Sequence, residues 1–117
     1  PVESAWLAKD LKSTTLPTVA FVHQRLDLEP GTSPYAIKQS LEVRKILEES
    51  GQVRAVFQGH SHKHELHQIG DIAYCTIAAM VEGSGATNNS YAMLEIYKDG
   101  AIQLKGFRKQ ETYKIPA

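Results

Sequence analysis

The apolar positions of this chain recur at two spacings. Residues 19–23 (VAFVH) and 53–58 (VRAVFQ) are short runs rich in β-branched and aromatic side chains, the pattern of strands. The first run is nearly continuous, which predicts a strand buried on both faces. Between them lies AIKQSLEVRKILEESG (36–51), where Ile37, Leu41 and the Ile46–Leu47 pair fall on one helical face. Pro34 suits a first helical position with Ser33 as its cap, so this helix is expected to start slightly before residue 36, with Gly51 closing it. Val2, Ala5, Trp6, Leu7 and Leu11 give a second helical period at the start of the chain, and Trp6 is expected to be core, pinning that helix to the sheet. Further on, ELHQI and IAYCTIA flank Gly70-Asp71, and SYAMLEIY and AIQLKGF flank Asp99-Gly100. Both read as β-hairpins. Residues 81–90 read as a flexible link between them, with Asn88 and Asn89 as turn formers.

Strand, helix and strand within about 40 residues make a crossover unit, so the two strands should be parallel neighbours with a right-handed connection. Their C-terminal ends then share an edge, where ligands of open α/β sheets collect. His23 ends the first strand and Gly59-His60 follows the second, so residues 37 positions apart should meet. The expected class is α/β, a crossover followed by antiparallel hairpins.

Composition narrows the function. The 117 residues make at most one domain. Thirteen basic residues balance thirteen acidic ones, so no bulk attraction to nucleic acid or an anionic membrane is expected. No apolar stretch approaches the ~20 residues that cross a bilayer. Cys75, the single cysteine, has no basic sequence neighbour to activate it and is expected to be a buried hydrophobe. An unpaired cysteine fits a reducing compartment and slightly favours the cytoplasm. Pro1, with no cap residue before it, reads as a helix cut inside its cap, so residues 1–117 are expected to be the C-terminal part of a longer domain.

Four of the five histidines, His60, His62, His64 and His67, fall within eight positions. Neutral imidazole is the commonest protein ligand for zinc, iron or manganese. Residues two apart in an extended segment project to the same side, so His60 and His62 are expected to converge, joined by His23. Gly59 is expected to permit the sharp turn and to keep the site clear of a side chain. His64 and His67 lead into the next strand and are expected to be surface or substrate-side residues. In the long loop at 24–35, Arg25 and Tyr35 are candidate substrate contacts, and Asp27 and Glu29 are makeshift carboxylates at most.

The segments LPTVAFVH, LEESGQVRAVFQGHSH, HELHQIGDIAYCTIAAMVEG and YKDGAIQLKGF resemble the C-terminal half of calcineurin-like metallophosphoesterases. The Gly59-His60-Ser61-His62 run is similar to their GHxH motif, and the tail is similar to the branch with manganese-dependent ADP-ribose and CDP-alcohol pyrophosphatases. The resemblance implies a two-sheet sandwich flanked by helices and a two-metal site of manganese, iron or zinc. By the same resemblance His23 and His60 would hold one ion and His62 the other, hydrolysing a phosphomonoester, phosphodiester or pyrophosphate in a small molecule or nucleotide. The family's DxH, GDxxD and GNHD/E motifs do not occur here. Partial or no metal occupancy and little turnover by this chain alone are therefore expected, with no catalytic residue of its own. The alternative is a non-catalytic metal-binding or scaffold module, self-associating through uncovered sheet edges.

Overall fold

A computed structural model describes residues 2–81, 85 and 87–117. In chain order the elements are α1 (Val2–Lys12), β1 (Thr18–Phe21), α2 (Ser40–Ser50), β2 (Val53–Gln58), β3 (Glu65–Ile69), β4 (Ile72–Thr76), β5 (Tyr91–Ile96), β6 (Ile102–Phe107) and β7 (Tyr113–Ile115). They form two sheets. One has the order β1-β2-β4-β3 and the other is the antiparallel meander β5-β6-β7.

The crossover is present: β1 and β2 pair in parallel through α2. Both hairpins are present as well. The first joins the crossover sheet, because β4 pairs in parallel with β2 and leaves β3 at the outer edge. Three parallel strands thus end at one rim, where Gln58 is paired with Thr76 and Thr76 with Glu65.

The central strands are buried on both faces. Val53, Val56, Ile72 and Tyr74 pack with Leu11 and Leu47 from the two helices. Ala55, Phe57, Ala73 and Cys75 pack with Ile102, Leu104 and Ile115 of the second sheet. Burying a side chain the size of Phe57 stabilises by roughly 1.5–3 kcal/mol, so these layers hold the rim in place. Cys75 is the buried hydrophobe its sequence predicts, with burial pushing its thiol up to about 12.

Three expectations need correction. The strand at 18–21 is an edge strand, and Phe21 is 70% exposed. Trp6 is 62% exposed rather than core; α1 buries Leu11 and Ser4 instead. The second helix begins at Ser40, with Gln39 before it giving no side-chain cap, while Gly51 closes it at φ 71°. The reason is local. Arg25 N donates to Tyr35 O, and Ile37 N donates to Arg25 O, each at 3.3 Å. Residues 35–37 spend their backbone groups across the loop and cannot enter the helix. Pro1 and most of the link at 82–86 lie outside the described residues. No helix among those described is long and apolar enough to cross a membrane.

Candidate metal centre

The pairing of β1 with β2 continues past both strands: Val22 N donates to Phe57 O and Gly59 N to His23 O, each at 3.0 Å. This register delivers His23 and His60 to the same point of the rim. His23 Nε2 lies 3.0 Å from His60 Nδ1, with ring centroids 4.9 Å apart and planes at 68°. Tyr35 stands edge-on to His60 at 5.5 Å. Two imidazole nitrogens ~2.0–2.1 Å from one ion stand about 2.8–3.4 Å apart for an angle of about 90–110° at the ion. The observed separation fits a shared divalent ion. Without one, it fits a hydrogen bond in which one ring donates N–H to the other.

Among the described residues His62 does not form a three-ligand group with this pair. Among the described residues, the group of three or more ligand side chains within mutual reach is Asp27, Glu65 and His67. The expected alternation fails because the segment is not extended: His60 and His62 both have φ of 66°, the left-handed region that non-glycine residues seldom enter. Ser61 N donates to Gly59 O at 2.8 Å and Ala79 N to His62 O at 3.3 Å. His62 lines a separate groove with Lys63 and His64. Gly59 carries no positive φ, and a Cβ there would meet only His23 O, at 3.7 Å. The turn expected of the glycine is made by the two histidines, a strained arrangement of the kind found at functional sites.

A second polar cluster lies beneath the rim, centred on the buried Asp27 and Arg25. Asp27, whose side chain is fully buried, receives Arg25 Nε at 2.9 Å, Arg25 Nη2 at 2.7 Å and Gln58 Nε2 at 2.7 Å. His67 Nδ1 donates to Asp27 Oδ2, the oxygen that also receives Arg25 Nη2, at 2.5 Å. Arg25 Nη2 also lies 2.6 Å from Glu65 Oε2, and its Nη1 reaches Ser61 Oγ at 3.4 Å. Gln58 completes the frame by accepting Leu26 N at 2.9 Å and donating to Thr76 Oγ1 at 3.0 Å. Burial alone would raise the Asp27 carboxyl, but hydrogen bonds from Arg25, Gln58 and His67 outweigh it and hold the group below its ordinary value. Asp27 in turn raises the Arg25 guanidinium against the opposing effect of burial.

Asp27, Glu65 and His67 are suitable metal ligands by type, yet the cation among them is already the Arg25 guanidinium. A divalent ion there would have to displace a buried arginine from two carboxylates, so the cluster fits a metal poorly. Arg25, a candidate substrate contact from the sequence, is only 4% exposed, and its guanidinium is engaged by Asp27 and Glu65. Tyr35 is exposed and stands beside His60. Glu29 pairs with Arg44 at 3.0 Å instead of joining the rim. His64 Nδ1 accepts Glu111 N at 3.2 Å. The pairing of Glu65 with His67 has a sequence signal, since they are two apart on β3 and share a face, but Asp27 and Arg25 reach them from a loop about 40 positions away.

No family model matches the chain, and no curated protein sequence does. Solved structures do. A dimetal phosphatase from Danio rerio matches with a TM-score of 0.84 at 17% identity, over 97% of this chain and 37% of that one. The present chain therefore spans little more than a third of that protein's length. Looser likenesses are to a predicted phosphoesterase from Streptococcus pneumoniae, with TM-score 0.44, 15% identity, and 62% and 46% of the two chains covered. A Vps29 variant from Entamoeba histolytica gives 0.44, 17%, 77% and 53%. The match to the phosphatase covers both sheets and both helices, and the chain has the fold of the calcineurin-like metallophosphoesterases.

Proposed function

We propose that this chain provides the imidazole side of a metal-dependent phosphoesterase site, with His23 and His60 holding one divalent ion. The observation that supports it most is the 3.0 Å approach of two ring nitrogens from separate parallel strands, at the edge where α/β sheets place their chemistry. His62 is assigned to a second ion, following the resemblance of residues 59–62 to the GHxH motif. Manganese, iron and zinc all suit imidazole. When bound, such an ion would polarise a phosphoryl oxygen and make a nucleophile available at neutral pH.

The protein's own groups set the conditions for binding. One facing nitrogen must give up its proton, so His23 would carry N–H on Nδ1 and His60 on Nε2. Arg25 fixes the histidine loop through Ser61, and Tyr35 walls one side of His60. Among the described residues no carboxylate completes a three-ligand group with the pair. Neutral rings alone offset little of a divalent charge, so affinity should be modest and turnover by this chain low. The substrate class is a phosphate ester in a small molecule or nucleotide.

Calorimetric titration with Mn2+ tests the assignment. His23→Ala and His60→Ala should each weaken binding at least about tenfold, the order expected for a lost ligand contact. His67→Ala should leave it unchanged. Equal affinity in all four proteins would sink the proposal. A second reading, a self-associating module without catalysis, is favoured by Phe21 of the edge strand β1 and Trp6 of α1, both exposed and lining one groove. A concentration-dependent dimer on size-exclusion, dispersed by Phe21→Lys, would support that reading.

A further inference from the structure

The groove that His62 lines is about 350 Å3 and is assembled from the segment after β2, the segment after β4 and the turn after β6. Its ionisable lining is mostly basic, with Lys63, His64 and Lys109. Among the described residues the one carboxylate there, Glu65, already lies 2.6 Å from Arg25 Nη2. Among the described residues neither lysine has a carboxylate partner.

The turn carrying Lys109 is held on several sides. Lys109 N donates to Ser90 Oγ at 3.2 Å, and the buried Gln110 accepts Ala78 N at 2.6 Å. Glu111 N donates to His64 Nδ1 at 3.2 Å. A Cβ on Gly106 would collide with the backbone of Gln110 and Glu111, so the turn also lies tight over β6. The bond from Glu111 N fixes the neutral His64 ring with its remaining proton on Nε2, a donor. Two lysines and one histidine thus line one concavity, with Lys109 and the His64 ring held in place by these bonds.

We propose that Lys63, His64 and Lys109 form an anion subsite for a phosphoryl group of the substrate other than the scissile one. Its part in catalysis rests on the phosphoesterase reading above, whereas anion binding itself does not. Substrates with a second anionic group would gain affinity there, and simple monoesters would not.

Inorganic phosphate is the probe, titrated into the 15N-labelled chain with EDTA present and ionic strength held constant. Saturable shifts are expected at the amides of Lys63, His64 and Lys109. The Lys63→Gln, Lys109→Gln double variant should bind roughly tenfold more weakly, since each exposed charge contributes up to about 1 kcal/mol. His60→Ala should bind phosphate as the unaltered protein does. Shifts centred on His23 and His60, linear shifts without saturation, or unchanged affinity in the double variant would overturn the subsite. With no metal present, failure here leaves the His23–His60 ion untouched, and failure of that ion leaves this titration unchanged.

Discussion

Two polar clusters lie against the same rim of the β1-β2-β4 sheet, and they differ in what they leave unfinished. Asp27, Glu65 and His67 are the richer set by ligand type, with two carboxylates and an imidazole. Yet Arg25 already answers both carboxylates, and Gln58 takes a further lone pair of Asp27. His23 and His60 are a poorer set of two imidazole rings, but among the described residues no ion pair engages them. Ligand count alone would place a metal in the cluster whose charges are already matched. What matters is whether the charges are already matched, because a satisfied buried network rigidifies and an unsatisfied pair can still bind.

Removing the matching cation should have the largest effect. Arg25→Met would leave Asp27 and Glu65 facing each other without their guanidinium, and stranding a buried charge costs roughly 3–5 kcal/mol. Urea unfolding would read this directly. A loss under about 1 kcal/mol would mean that the carboxylates find water or another cation, and the contrast between closed and open clusters would fail.

Acid should reach the same cluster by another route. The Asp27 carboxyl lies below its ordinary 3.8 in the folded protein. Between the two values the unfolded chain binds more protons, so stability rises with pH there. The contribution is complete above about pH 4 and is lost as pH falls through the depressed folded value. Asp27→Asn should be less stable at neutral pH and show a flatter acid limb in urea midpoints measured from pH 6 to 2. An unchanged slope would show that the carboxyl is not tied as its contacts suggest.

The sequence discloses the closed cluster far less readily than the open one. His23 and His60 follow from local signals, two apolar runs joined by a helix, each ending in histidine. The Arg25 network depends on Glu65, 40 positions away, and on β4 inserting beside β2. Periodicity locates both hairpins but says nothing of which sheet each one joins, since that choice is made by tertiary packing. The shape of the GHSH segment was hidden for a different reason. Alternation assumes extended backbone, and the left-handed φ of His60 and His62 breaks it. Trp6 shows the limit of helical period as well: Leu11 takes the buried position and leaves the tryptophan at the surface.

A smaller effect separates the two histidines that the clusters share out. His67 donates to a buried carboxylate, and losing a hydrogen bond to a charged group costs about 1.5–3 kcal/mol. The ring is half exposed, so water can replace part of the bond and the lower end is expected for His67→Ala. Thermal unfolding would register this as a clear drop in midpoint, while Mn2+ affinity stays as it was. A loss of metal binding without a loss of stability would exchange the roles assigned to the two clusters.

The smallest effect on stability, and the sharpest for the comparison, belongs to His23→Ala. His23 is exposed, and its side chain makes one polar contact among the described residues, the 3.0 Å approach to His60. Surface changes of this kind usually stay within about 0.5 kcal/mol. The backbone carbonyl that holds Gly59 N is retained in the variant, so the rim should keep its register. His60 would lose only a neutral neighbour that water can replace. Stability should therefore barely move while Mn2+ binding weakens about tenfold, the inverse of the pattern expected at His67. If His23→Ala instead unfolds the protein as readily as Arg25→Met does, the imidazole pair is a structural contact between β1 and β2, and the rim holds two closed clusters rather than one.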